Sequence, residues 1–179
     1  MKFKISILVI FFTLSIYAQE KYYTKSGTII FESSVASFEE VKATNTKVTA
    51  VFKPETGDIA ALALVKAFRF KVALMEEHFN ENYAESNKYP KAKFSGKIEN
   101  FDQTTLYNTK VWIKGKLSFH GVTKEIRITA DISNKKDIIL ISSSFTLKPE
   151  EFGIEIPKIV RKKIAKEVDV SLIFSLKKK

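Results

Sequence analysis

The sequence predicts an all-β domain, an antiparallel barrel of about eight strands carrying one main short amphipathic helix. Three observations predict it. Most of the chain after residue 20 alternates apolar and polar residues with period two, as strands with one covered and one wet face do. Residues 68–83 break that rhythm once, with apolar residues at helical spacing. No repeat, linker or low-complexity tract divides the chain, and a long sheet most simply loses its edges by closing on itself.

The firmest element is a hairpin over residues 107–132. Val111, Ile113, Gly115, Leu117 and Phe119 fall on one face, and Trp112, Lys114, Lys116, Ser118 and His120 on the other. After His120-Gly121 the apolar face resumes with Val122, Ile126, Ile128, Ala130 and Ile132. Gly121 relaxes the backbone where the chain must turn. A hairpin with one apolar face is not stable alone, so something must cover it.

The remaining elements follow in order. Residues 21–31 enter the first strand, and residues 33–43 read as a turn and an extended connection. Val48, Ala50 and Phe52 share a face over residues 46–52, and the turn at residues 53–58 holds Pro54 and Gly57. Residues 59–65 return as the second arm of a hairpin. In the helical stretch Val72, Met75 and Phe79 line up, with Leu74 and His78 beside them, and Glu76, Glu77, Asn80 and Glu81 lie mostly opposite. Tyr89-Pro90 stops any continuation. Residues 91–99 form a strand with Ala92, Phe94, Gly96 and Ile98 inward. A polar turn at 133–137 leads to a strand at 138–147, then a single helical turn at 148–153 ending on Gly153. Pro157 argues against a central strand at 154–159. Val168, Val170, Leu172, Phe174 and Leu176 share a face of the closing strand.

Residues 1–18 read as a secretory signal peptide. Lys2 and Lys4 form a basic head, residues 5–16 are almost wholly apolar, and Ala18 is a small residue at the expected cleavage point. The apolar run is shorter than the ~20 residues that span a bilayer. The mature domain is then residues 19–179, in the periplasm or secreted. The chain has no cysteine, so it forms no disulfide and carries no lipid-modified cysteine. Loss of Lys2 and Lys4 takes the formal charge from +10 to +8 (10 − 2), enough to draw the domain to anionic membrane surfaces. Nucleic acid is not an expected partner: the lysines are scattered along strand faces and no recognition motif appears.

Chemistry-bearing patterns are scarce. His78 and His120 are the only histidines and sit on different elements, which does not build a metal site. There is no glycine-rich phosphate loop and no G-x-S-x-G elbow. Ser142, Ser143 and Ser144 read as side chains satisfied along a sheet. Glu76, Glu77 and His78 are consecutive on a helix and do not face one another. His120 reads as a hydrogen-bonding turn residue. No catalytic residue and no metal or cofactor site is therefore expected. What is abundant is apolar surface, including 15 Phe and 6 Tyr, which a filled core and a lipid channel would use alike.

Three segments, in order, carry a family resemblance: MEEHFNENYAESNKYPKAKFSGKI (75–98), KGKLSFHGVTKEIRI (114–128) and FTLKPEEFGI (145–154). The first has a helix histidine, a Tyr-Pro pair and a strand opening with Phe. The second fits G-x-L-x-x-x-G-V-T-K. Together they resemble the YceI-like family of polyisoprenoid-binding periplasmic and secreted proteins. The resemblance implies a lipocalin-like extended barrel, an internal channel for a long isoprenoid chain, export and no catalysis. Two departures bear on the ligand's headgroup. No histidine occurs before His78, and Lys148-Pro149-Glu150-Glu151 stands where an arginine often precedes the Phe-Gly pair.

The expected function is non-enzymatic binding, storage or transport of a polyprenol, prenyl quinone or other long-chain lipid, that lipid being the sole cofactor-like group. The expected lining is Ile30, Val48, Phe52, Leu74, Phe94, Ile98, Val111, Ile113, Leu117, Phe119, Ile126, Ile128, Phe145, Val170 and Phe174, with His78 and Tyr89 as polar contacts near a mouth. The alternative is a secreted β-domain that binds an envelope protein through Trp112, Lys114 and Lys116. A barrel filled by side chains would favour that alternative, and an apolar tunnel favours the lipid.

Overall fold

The computed structural model describes residues 20–34, 40–106, 108–157 and 164–179. The expected leader, residues 1–18, lies outside the described residues, as do residues 35–39 of the expected connection at 33–43 and residue 107 at the base of the central hairpin. The strands are β1 (Tyr22–Ser34), β2 (Lys42–Lys53), β3 (Asp58–Leu64), β4 (Arg69–Phe70), β5 (Lys91–Ile98), β6 (Thr109–Phe119), β7 (Val122–Lys135), β8 (Ile138–Leu147) and β9 (Ile164–Lys178). They pair antiparallel in the order β1-β9-β8-β7-β6-β5-β3-β2, and β1 also pairs with β2. That last ladder closes an eight-stranded barrel, with the two-residue β4 hung on β2.

The central hairpin pairs without interruption from Thr109–Ile132 to Phe119–Val122. His120 and Gly121 both take positive φ, 50° and 77°. Positive φ at both turn positions gives a turn whose twist matches that of the strands. The β2–β3 hairpin turns through Gly57 at φ 74°, and the Phe101 ring lies against its Cα. The single turn at Pro149–Phe152 ends on Gly153 in the left-handed region, where glycine carries no Cβ penalty.

Two irregularities set which side chains face inward. In β1, Tyr22 and Thr24 are buried, but the ladder shifts between Thr24 and Gly27, and afterwards Gly27, Ile29, Phe31 and Ser33 point in. A bulge inserts one residue and reverses the phase of alternation. Ile30 is therefore on the outer phase, against expectation. In β2, Ala43 and Asn45 are buried before the shift and Val48, Ala50 and Phe52 after it. Asn45 holds that bulge: its amide donates to the Leu64 carbonyl at 3.1 Å, and its Oδ1 accepts from the Lys47 N–H at 2.9 Å.

The helix is shorter than residues 68–83. Phe68 follows a 3-10 turn and Arg69–Phe70 pair with Thr44 and Ala43. The helix, α1, spans Ala73–His78 and runs into a π-helical turn, Phe79–Tyr83. Val72, Met75 and Phe79 are half-buried, as their spacing requires. The flank is reversed, however. Glu76 and Asn80 sit on the covered side, because the Glu76 carboxylate accepts from Phe70 N–H and Arg69 while Asn80 donates to the Glu76 carbonyl. Leu74 is 57% exposed and His78 is exposed.

Candidate functional site: the open half of the barrel

The barrel is filled at one end and hollow at the other. Phe52, Ile132, Ile139 and Leu176 pack the end near the β2–β3 and β7–β8 turns with almost no exposure. Val48, Ile98 and Val111 are core residues that do not border the cavity. At the other end lies a cavity of about 250 Å³. Ile113, Ile128, Ala130, Ile141 and Phe174 belong both to the core and to the cavity surface, so they form its floor. Its walls include Ile29, Phe31, Phe94, Leu117, Ile126, Phe145, Val170 and Leu172. Phe119 borders it beside the hairpin tip.

Two wall features keep the lumen clear. Gly96 and Gly115 are opposite one another in the β5–β6 ladder, and a Cβ built on either would fall 2.7 Å from Phe94 Cζ. The Phe94 ring thus lies over the space of two absent side chains. Gly27 does the same for Phe174, whose Cδ1 would be 2.6 Å from such a Cβ.

The cover comes from two segments. The first is α1 with its π-turn, which sends Phe79 and Tyr83 to the cavity. Phe79 joins Phe31, Phe68 and Phe70 in a cluster with ring centroids 5.2–6.0 Å apart. The second is the stretch after β8. The β7–β8 ladder runs only from Asp131–Ser142 to Lys135–Ile138, so the strands part towards the open end. Phe152, Ile154 and Ile156 are buried and border the cavity there. Their period-two spacing, broken by Gly153 and Glu155, is the sequence signal that sequence reasoning passed over because of Pro157. Tyr83, Phe79 and Phe31 also border the cavity and were absent from the expected lining, although Phe79 was read with Val72 and Met75 on the apolar stripe of the helix.

His120 fastens both covers to the hairpin tip. Its Nδ1 lies 2.9 Å from the Phe152 carbonyl and its Nε2 lies 2.8 Å from Glu85 Oε2. Tyr89, expected at a mouth, instead packs edge-on to His120 with ring centroids 4.6 Å apart and covers Gly121. A hydrogen bond to Tyr89, and then the charge of Glu85, hold the Lys88 ammonium above the usual lysine range. His78 has no place at the cavity, since it faces solvent on the far side of α1. Among the described residues no group of His, Asp or Glu is placed to hold a metal ion, and no helix is long and apolar enough to cross a membrane.

An apolar chamber with this cover can hold hydrocarbon and offers no paired titratable groups at its surface. Comparison with known proteins places it. The fold matches a polyisoprenoid-binding domain from Saccharophagus degradans implicated in plant cell wall breakdown, with TM-score 0.73 and 11% identity over 89% of this chain and 98% of that one. It also matches BcnA of Burkholderia cenocepacia, at TM-score 0.68 and 14% identity over 83% and 95% of the two chains. A Campylobacter jejuni YceI protein is similar at TM-score 0.61 and 20% identity, over 81% and 88%. No curated protein matches the chain. The YceI-like domain model matches residues 22–176, so this chain belongs to the YceI-like family.

Proposed function

We propose that this protein binds one long apolar isoprenoid-type lipid, a polyprenol or a prenyl quinone, inside the open half of its barrel. It stores or carries that lipid in the cell envelope without chemical turnover. The observation that carries the reading is the apolar cavity of about 250 Å³ where a barrel of this size can be filled by side chains. Each buried methylene contributes about 0.8 kcal/mol, so a few isoprene units outweigh the cost of association. The naming of a structural neighbour as polyisoprenoid-binding supports the ligand class.

Export after removal of residues 1–18, and loose attraction of the basic domain to anionic membranes, belong to the same proposal. On the rival protein-interaction face Arg127 lies 3.7 Å over the Trp112 ring, and Lys114 pairs with Glu125 at 3.0 Å. The test is native mass spectrometry of protein recovered from its own envelope, followed by lipid extraction. The expected result is a one-to-one isoprenoid complex on a chain that starts after Ala18. No co-purifying lipid, together with no uptake of prenyl quinone or polyprenol by folded, delipidated protein, refutes the proposal.

A further inference from the structure

The wall of the barrel is not laddered throughout. β7 spans 14 residues and β8 spans 10, yet they pair over five rungs, from Lys135–Ile138 to Asp131–Ser142. Their other neighbours hold them further: β6 pairs with β7 as far as Phe119–Val122, and β9 pairs with β8 as far as Leu147–Val168. Residues 122–130 and 143–147 therefore bound a seam that no ladder closes. A tie across it comes from a side chain, the Ser143 hydroxyl, which donates to the Thr129 carbonyl at 2.5 Å. The seam runs beside the cavity. Ile126, Ile128 and Ala130 on one strand and Ser143, Phe145 and Leu147 on the other all belong to the cavity surface.

Residues 148–157 cover this seam as a strap. The strap leaves β8 at Leu147 and reaches β7 at Gly153, where a Cβ would lie 3.9 Å from Val122 Cγ2. Three of its backbone bonds are to itself: Glu151 N–H to the Lys148 carbonyl at 3.0 Å, and Gly153 and Ile154 N–H to the Glu150 and Pro149 carbonyls at 3.1 Å. What holds it to the barrel is the burial of Phe152, Ile154 and Ile156, the Phe119–Phe152 ring contact at 6.0 Å, the Lys148–Glu167 pair at 3.7 Å, a further contact at Ile156, and His120 Nδ1 at 2.9 Å from the Phe152 carbonyl. The α1 cover is fixed more firmly. β4 pairs with β2 through Ala43–Phe70 and Thr44–Arg69, the Val65 N–H reaches the Pro90 carbonyl at 3.0 Å, and Glu76 accepts from Phe70 N–H and Arg69. Four phenylalanine rings cluster beneath it. Local opening falls to the segment with the fewer backbone bonds to its surroundings, which here is the strap.

We infer that the seam between β7 and β8 is the portal of the cavity, and that the strap is its gate, pinned shut by the imidazole of His120. The inference rests on the lipid-binding proposal and adds the route by which the chain enters and leaves. Passage between these two strands breaks no backbone ladder. It breaks the Ser143 and His120 hydrogen bonds and unseats three apolar side chains. A hydrocarbon chain entering side-on brings apolar surface of its own to the place those side chains leave, so the opening is not left to water. His120 is a positioning residue in this scheme, since it holds the strap and is not part of the cavity surface. A gate sets entry and exit rates alike, whereas damage to the chamber lowers affinity.

The native chain has no cysteine, so one engineered pair reports cleanly. In the double variant Val122→Cys, Gly153→Cys, oxidation or a short bis-methanethiosulfonate pins the strap to β7, and a reducing agent frees it in the same molecule. The strain of a side chain at Gly153, φ 69°, is common to both forms and cancels. The probe is a polyprenol in detergent micelles, followed by native mass spectrometry. Protein pinned while empty is expected to take up polyprenol at least about tenfold more slowly than its reduced form, and protein pinned after loading to retain it at least about tenfold longer. His120→Asn sets Asn-Gly, a preferred pair for this turn, at the hairpin tip and removes the pin. Entry and exit should each quicken about fivefold, the worth of one net hydrogen bond, at unchanged affinity. Glu85→Asn removes only the α1 partner of the same imidazole and should change neither rate by more than about twofold. Equal exchange by the pinned and reduced forms overturns the portal and leaves the carrier proposal standing. So does faster loss of lipid from protein pinned after loading, the mark of a damaged chamber. Wild-type rates in His120→Asn, or equal effects of His120→Asn and Glu85→Asn, overturn the pinned strap. Failure of wild-type and reduced protein alike to bind polyprenol refutes both readings together.

Discussion

Ala92→Leu separates a cavity from a core. Ala92 lies on β5 opposite Ala63 and borders the cavity. The substitution adds about three carbons, each worth about 0.8 kcal/mol when buried, or about 2.4 kcal/mol at most. In a hollow barrel that surface is gained without overpacking, so Tm should rise by up to about 5–10 °C. The same side chain occupies the space the lipid needs, and an equal loss of contact weakens prenyl quinone binding by about 50-fold. The control is Ile139→Phe, which adds a similar number of carbons at the filled end, where Ile139 is wholly buried. There the core must yield, at a cost of about 1–3 kcal/mol, while affinity should be unchanged. Thermal melts and quinone titrations on both variants read the two effects. A destabilised Ala92→Leu, or one that binds quinone like the wild type, would refute the assignment of this space to a ligand.

Three further perturbations follow from the same geometry. Leu117→Asp sets an unpaired carboxylate on the apolar wall, which hydrocarbon cannot solvate; lipid uptake should vanish while circular dichroism shows a folded barrel, and full uptake by a folded variant would contradict the site. Gly115→Ala should lose about 1–3 kcal/mol in a urea melt, because its Cβ would fall 2.6 Å from both Gly96 Cα and the Ser95 carbonyl, backbone atoms that cannot step aside; a neutral result would mean the two strands are less tightly apposed. Glu20 pairs with Lys178 at 2.9 Å, and hydrogen bonds from Lys178, then Tyr22, hold its carboxyl below the usual range. A depressed carboxyl stabilises the fold above its unfolded-state value and stops doing so as pH falls through its folded value. Glu20→Gln should therefore melt slightly below the wild type at neutral pH and coincide with it in acid, and a gap that widened in acid would reverse the sign of this argument.

Much of the architecture was legible because alternation is strict where one face is covered. The 107–132 hairpin and the turn ending at Gly153 could be read directly, since each carries an unambiguous period or a glycine at a positive φ. Ile30 could not be placed. Ile29, Ile30 and Phe31 are all apolar, so the bulge that reverses the phase leaves no trace in hydropathy. Leu74 was misplaced because a six-residue helix shows only a narrow stripe, and hydrogen bonds to the backbone pulled Glu76 into it instead. The division between Phe52 or Val111, which fill the core, and Phe94 or Leu117, which border the cavity, depends on distance along the barrel axis. Alternation reports which face a residue is on and says nothing of that distance. Tyr83 lies four residues after Phe79, on the stripe of Val72 and Met75, and extending that stripe to the end of the helical segment would have placed it at the cavity.

The emptiness of the open half is itself a property of particular residues. An apolar space of about 250 Å³ forfeits packing contacts if nothing occupies it. A sequence free to minimise this cost would place large side chains on the wall. This one places Ala61, Ala63, Ala92 and Ala130 there. It also sets Gly96 and Gly115 opposite one another, so that the Phe94 ring lies over the space of both absent side chains. The filled end shows that the same chain packs a barrel tightly when it does so, with Phe52, Ile139 and Leu176 wholly buried. The two ends are built from the same strands and the same alternation. Small residues on a wall and an aromatic cover held to the hairpin tip by His120 are consistent with a chamber whose stability is completed by what it holds.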